Sequence, residues 1–177
     1  VNNRVSYQLR ELFSLRREMS FGFYLTDFVF RKLLRQNSGT DWALHHTSTI
    51  HNPHKIKRGQ GVYPGDSPGV YINAANGVEI GDYTNIGPNV GIISSNHDLI
   101  DNDMHTAAPP VILGRFCWVG MGAVILPGVI LGDFTIVGAG AVVTRSFTDG
   151  YCVIAGNPAR IIKQLNREEC DAFAGSK

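Results

Sequence analysis

Between Leu113 and Val143 a branched aliphatic returns at every sixth position: Leu113, Val119, Ile125, Leu131, Val137 and Val143. Glycine follows it at Gly114, Gly120, Gly132 and Gly138, while Leu126 and Thr144 take the same place elsewhere. An amphipathic helix needs apolar residues about every 3.6 positions, and a half-buried strand alternates. A period of six fits neither. It is a repeat signature, and it predicts a chain wound as a parallel β-helix in which each six supplies one short strand and a corner. The aliphatic is expected to point inward. The small residue beside it is expected to let the chain turn without a Cβ clash.

The repeat extends upstream with less regularity. Ile80, Ile86 and Ile92 keep the spacing, and Ile50, Ile56 and Val62 suggest a degenerate first coil. Residues 37–71 otherwise read as turns, from Asn37-Ser38-Gly39 to Pro68-Gly69. Four histidines fall here, His45, His46, His51 and His54, and read as solvated turn residues, not a metal site. Residues 98–110 break the register with a polar, acidic, proline-terminated stretch. Insertions of this kind in repeat proteins form loops on the binding face. After Thr148 a last coil is expected, then a short C-terminal helix from about Pro158 and a frayed polar tail over 166–177.

Residues 1–40 differ in kind. Val5, Leu9, Leu12 and Phe13 recur at helical spacing, as do Phe21, Tyr24, Leu25, Phe28 and Leu33. Residues 4–36 hold seven Lys/Arg against three acids, a surplus of four. Such a segment suits two roles. Solenoids need capping, so a helical cap over the open end is the first. A basic, aromatic amphipathic helix on an anionic membrane surface is the second. The division expected is therefore a cap over 1–40, a β-helix over 41–165 and a tail over 166–177.

Composition bounds the function. The 177 residues are 44% hydrophobic with a formal net charge of +1, which suits one globular domain and gives no basic balance for nucleic acid. Cys117, Cys152 and Cys170 show no paired spacing and read as reduced thiols. No signal-peptide pattern or bilayer-spanning apolar run is present, so a cytoplasmic place is expected, with peripheral contact at the inner membrane face through the N-terminal segment.

Side chains alternate along a strand, so the residue just before each inward aliphatic should face out. Asn85 and Trp118 occupy that place, and His97 keeps the same phase, five residues after Ile92. An outward Trp needs something to cover it. A histidine directly before an extruded loop suits a general base, because its ordinary pKa lies near neutrality. Met121, Ala139 and Asn157 are spaced by eighteen, one full coil, and should line one edge as a groove free of bulk at Gly120 and Gly138.

From about Ile72 to Lys163 the chain resembles the hexapeptide-repeat acyltransferases, in the branch that O-acetylates galactosides, maltose and bacterial surface polysaccharides. The resemblance rests on the repeat, on Asn96-His97-Asp98 before a long loop, on Trp118 and on Gly156-Asn157-Pro158-Ala159-Arg160. It implies a left-handed coil, against the usual right-handed crossover, and an all-β homotrimer with sites between subunits. It also implies direct transfer of acetyl from acetyl-CoA to a saccharide hydroxyl, with no metal. His97 would be the base, Trp118 would lie near donor and acceptor, and one of Asn73, Asn76 and Asn85 would hold the acceptor. Asp98 is a candidate for orienting His97. The pantetheine arm would lie along Gly120, Met121 and Ala139, with a backbone N–H near Gly120–Met121 for the oxyanion. The nucleotide end would meet Thr144, Arg145, Pro158, Arg160 and Lys163. Rivals are an amino-sugar N-acetyltransferase, a serine acetyltransferase, a γ-class carbonic anhydrase and a catalytically inactive β-helix assembly module. The anhydrase needs a closer histidine pair than His97 and His105 and a third ligand.

Overall fold

The computed structural model describes residues 19–177. The helix expected over Val5–Phe13 lies outside them. Among the described residues, fourteen strands, none longer than five residues, build three sheets in which all neighbours are parallel except one pair. Sheet one stacks β1 (Thr49–His51), β3 (Tyr71–Asn73), β6 (Gly91–Ile93), β9 (Val124–Ile125) and β12 (Val142–Val143). Sheet two stacks β2 (Ile56–Arg58), β4 (Val78–Ile80), β7 (Val111–Leu113) and β10 (Ile130–Leu131). Sheet three stacks β5 (Asn85–Ile86), β8 (Trp118–Val119), β11 (Thr135–Val137), β13 (Cys152–Ala155) and β14 (Arg160–Gln164). The chain visits the sheets in that order, coil after coil, which makes a three-sided parallel β-helix. Residues 98–110 leave it between β6 and β7.

The periodic aliphatics form the axis of the prism. Ile72, Ile92, Ile125 and Val143 stack on sheet one, Ile80, Leu113 and Leu131 on sheet two, and Val119, Val137 and Ile154 on sheet three. All are buried. Ile50 and Val62 extend the same core into the first coil.

The glycines beside them have a different reason from the one expected. Gly81, Gly114, Gly120, Gly132 and Gly138 have no left-handed backbone. Positive φ falls two residues on, at Tyr83, Phe116, Gly122, Phe134 and Gly140. What the glycines supply is room between coils. A Cβ on Gly114 would sit 2.6 Å from Asp133 N and 2.7 Å from Gly132 C, and one on Gly120 would sit 2.7 Å from Ala139 N. The aspartate after such a glycine binds the adjacent coil: Asp82 Oδ1 accepts from Gln60 N at 2.7 Å and Asp133 Oδ1 from Arg115 N at 2.7 Å.

The left-handed corner carries a column of rings. Tyr83, Phe116, Phe134 and Tyr151 have φ of 57°, 55°, 55° and 49°, unusual for bulky residues. Their rings stack at centroid distances of 5.2, 4.8 and 5.5 Å. Stacking of this kind adds about 0.5–1.5 kcal/mol per pair beyond burial, comparable to the cost of each left-handed residue.

The C-terminus departs from expectation. Residues 160–164 form no helix; β14 pairs antiparallel with β13 and closes the last edge of sheet three. A helix does form, but later, over Arg167–Ala174 (α2 below), where the tail was expected to fray. Asn166 caps it, accepting from Glu169 N. Its Asp171 accepts from Tyr151 OH at 2.7 Å, and its Phe173 meets Phe116 edge-on. The tail is therefore docked on the ring column.

At the other end, α1 (Phe21–Asp27) continues into a π-helical turn, Phe28–Leu33. Buried Asp27 takes two hydrogen bonds from Arg31 and one from Leu44 N. His45 and His46 are not solvated turn residues: their rings touch at 4.4 Å, and His46 stacks on Phe30 at 4.7 Å. Burial and His46 push the His45 imidazole below its ordinary pKa. Cys117 and Cys152 are buried thiols, and burial pushes Cys117 up to about 11.

Candidate functional site

His97 stands at the root of the extruded loop. The loop folds back as an antiparallel flap: Asp98 N donates to Met104 O, Thr106 N donates to Asn96 O, and His97 bridges to His105. The His97 and His105 rings lie 4.5 Å apart. His97 Nδ1 is 2.6 Å from Asn102 O. A carbonyl can only accept, so Nδ1 carries the hydrogen and the neutral ring keeps its lone pair on Nε2. The side chain is exposed. That is the geometry of a base held by its far nitrogen.

Asp98 does not orient His97. Its carboxylate accepts from Ile100 N at 2.9 Å and Asp101 N at 3.0 Å, and those bonds hold it below the usual carboxylate range. Asn102 supplies the orienting oxygen instead, and it was missed because a main-chain carbonyl leaves no mark in residue type. Leu99 and Ile100 at the tip are 98% and 96% exposed.

The three candidate asparagines separate. Asn73 Oδ1 is engaged in its own turn with Ala75 N. Asn76 ties the loop root, its Nδ2 donating to Ser94 O and Thr106 O. Asn85 faces out beside Trp118, with which it is in register on sheet three. Trp118 is 56% exposed. His97 follows sheet one and precedes sheet two, so it stands at the corner opposite sheet three. A single chain therefore does not bring His97 together with Asn85 and Trp118.

The proposed groove runs along the corner from sheet three to sheet one. Gly140 N donates to Met121 O and Gly122 N to Pro88 O, which stacks the corners. Gly120 N is spent on Val137 O at 2.8 Å, so it is not an oxyanion donor. Among the described residues, the N–H groups of Met121 and Ala139 make no hydrogen bond. A Cβ at Gly122 or Gly140 would meet nothing within 4 Å, so the corner is open. Asn157 falls out of line. Ile125 pairs with Val143 eighteen residues on, Leu131 with Phe147 sixteen on, and Val137 with Ile154 seventeen on. The last coil is one residue short, so Gly156 stands below Ala139.

The expected nucleotide-end residues lie at the C-terminal end of the prism, Thr144 and Arg145 after sheet one and Arg160 and Lys163 on β14 of sheet three. Thr144, Arg145, Pro158, Arg160 and Lys163 are all exposed. In β14, Ala155 pairs with Arg160 and Val153 with Lys163, with the register shift absorbed at Ile162. Cross-strand partners share a face. The bulge thus puts Arg160 and Lys163 together on the outer face, the one that carries Trp118. A cavity of about 450 Å³ borders Arg145 and Arg167. Another of about 560 Å³, lined by Trp42, His54 and Arg58, lies at the first coil and holds none of these residues. Among the described residues, no three His, Cys, Asp or Glu side chains converge as a metal-binding group.

A stacked-coil prism of this kind is shared with solved transferase structures. Residues 110–145 match the family described as bacterial transferase hexapeptide (six repeats). Over 91 residues it is 45% identical to a Dictyostelium discoideum protein provisionally named an acetyltransferase, a match covering 50% of this chain and 47% of that one. The chain thus spans about half the length of that relative. Among solved structures it is similar to a maltose O-acetyltransferase from Clostridium difficile, at 28% identity and a TM-score of 0.60 over 68% of this chain and 64% of the other. A galactoside acetyltransferase in complex with coenzyme A aligns over 92% of both chains with a TM-score of 0.66 at 22% identity. The Bacillus cereus N-acyltransferase AntD, in complex with dTDP and 3-hydroxybutyryl-CoA, aligns over 76% of this chain and 85% of its own at 21% identity, with a TM-score of 0.63. The last two establish fold alone.

Proposed function

We propose that the protein is an acetyl-CoA-dependent O-acetyltransferase acting on a saccharide hydroxyl, and a homotrimer of left-handed β-helices. The observation that carries this reading is His97, exposed at the loop root with Nδ1–H bound to Asn102 O and, among the described residues, no hydrogen bond to Nε2. In the reaction, Nε2 takes the proton of the acceptor hydroxyl as its oxygen attacks the thioester carbonyl. The new C–O bond forms, the C–S bond breaks, and the proton passes to the departing CoA thiolate. Met121 N–H, unlike Gly120 N–H, is available to the oxyanion, a type of contact worth about 10²–10³ in kcat. Met121 and Ala139 N–H groups also suit the amide oxygens of a pantetheine arm.

The same geometry supports an assembly. His97 and the Asn85–Trp118 pair stand on opposite sides of one prism, so a single site using both needs a neighbour. A closed three-fold ring brings one protomer's corner against the next one's sheet. Light scattering is expected to give three times the chain mass, and an active monomer overturns the assembly. Screening sugar and polysaccharide acceptors by thiol release from acetyl-CoA tests the activity itself. Turnover with an amino sugar but no hydroxyl acceptor would move the assignment to N-acetyl transfer.

Arg160 and Lys163 are expected to serve the donor. Charge at the nucleotide end helps ground and transition states alike, and uniform binding appears in KM. Arg160→Ala and Lys163→Ala should each raise KM for acetyl-CoA several-fold with kcat little changed, as suits exposed cations. With 3′-dephospho-acetyl-CoA, variants and parent should nearly converge. An equal penalty with both donors places the 3′-phosphate elsewhere.

A further inference from the structure

The N-terminal helical run has two faces, and among the described residues only one is used. Ser20 caps α1, accepting from Phe23 N at 3.2 Å. Asp27, Phe30 and Arg31 lock the inner face to residues 40–46 through the bonds to Leu44 N and Thr40 O and the stack on His46. Gln36 Nε2 on His46 O and Asn37 on Ser48 O and Ile50 N fix the far end. The run therefore has little freedom to roll about its axis.

Its outer face carries Phe21, Leu25 and Phe28, at i, i+4 and i+7, all more than half exposed. Lys32 continues the line, and Leu33, Leu34 and Arg35 follow it, also exposed. From Phe28 to Thr40 there is no acid, against Arg31, Lys32 and Arg35. Arg31 is paired with Asp27, which leaves Lys32 and Arg35 to the surface. Among the described residues no helix is long and apolar enough to cross a membrane.

We propose that this face docks on an anionic lipid surface, with Phe21, Leu25 and Phe28 inserted at headgroup level and Lys32 and Arg35 on the lipid phosphates and carboxylates. Charge complementarity selects this occupant. A two-fold contact between copies would set the same patch against itself, cation on cation. A lipid surface rich in anions takes both the apolar line and its charge. The inference stands apart from the acetyl-transfer reading, since binding is read without turnover.

The test is sedimentation of the full chain with vesicles of phosphatidylcholine alone or mixed with phosphatidylserine. Binding to the anionic vesicles should exceed binding to the neutral ones at least about ten-fold and fall as salt rises. Lys32→Glu with Arg35→Glu should lower it at least about ten-fold on the anionic vesicles, and Leu25→Ser with Phe28→Ser should lower it as much. Circular dichroism of each variant verifies the fold. Equal or negligible binding to both vesicle types overturns the proposal. So does a fall in molar mass, read by light scattering without lipid, on Leu25→Ser with Phe28→Ser, which would mark the face as a contact between copies.

Discussion

His97→Ala is expected to lower kcat by about 10²–10⁴-fold, the usual worth of a positioned general base, while leaving the melting temperature and KM for acetyl-CoA close to those of the parent. The side chain is exposed and, among the described residues, its one direct polar partner is the carbonyl of Asn102, so its removal opens no core cavity. His97→Gln sharpens the test. Its amide N–H can still donate to a carbonyl such as Asn102 O, but it has no lone pair basic enough to take a proton near neutrality. Both variants should therefore lose turnover alike. Near-parent activity in either, with an accepted acceptor, would remove His97 from the chemistry. A melting temperature lowered in step with activity would assign it to holding the flap.

The second large effect is on stability. Gly114→Ala is expected to cost about 3 kcal/mol, the upper part of the overpacking range. The added Cβ would meet Asp133 N, Asp133 Oδ1 and Gly132 C, all within 2.7 Å. Two of those are backbone atoms of the adjoining coil, so they cannot swing away as a flexible side chain would. For a chain of this size the loss corresponds to a melting temperature lower by about 6–12 °C. Gly122→Ala is the control. Its φ of 69° is strained for alanine, but a Cβ there meets nothing within 4 Å. It should cost about 1–2 kcal/mol from conformation alone. Both are measured by thermal unfolding at one protein concentration, since an oligomer's midpoint depends on it. If Gly122→Ala costs as much as Gly114→Ala, close approach between coils is not what these glycines provide.

The contrast also shows where the sequence was legible. A period of six is local, so the inward set from Leu113 to Val143, the outward places of Asn85, His97 and Trp118, and the extruded segment 98–110 could all be read before any coordinates. Each follows from strand alternation and from where the period fails. The glycines were located correctly and explained wrongly, because turning is a property of one residue and close approach is a property of two coils.

What only the tertiary structure decided depends on pairing between distant residues. Residues 160–164 became a strand because β13 had an open edge to satisfy, and their bulge put Arg160 and Lys163 on one face. Arg167–Ala174 became a docked helix because Phe116 and Tyr151 offered Phe173 and Asp171 a seat. Asn157 left the eighteen-residue line because the last coil runs one residue short between Val143 and Ile154. Asn102, not Asp98, orients His97 because the flap folds back and presents a carbonyl. The separation of His97 from Trp118 likewise belongs to the three-sided winding, which sets residues twenty-one apart on opposite sides of one prism. The repeat determined the coil; the contacts between coils, and between the coils and the segments that seal their ends, determined the site.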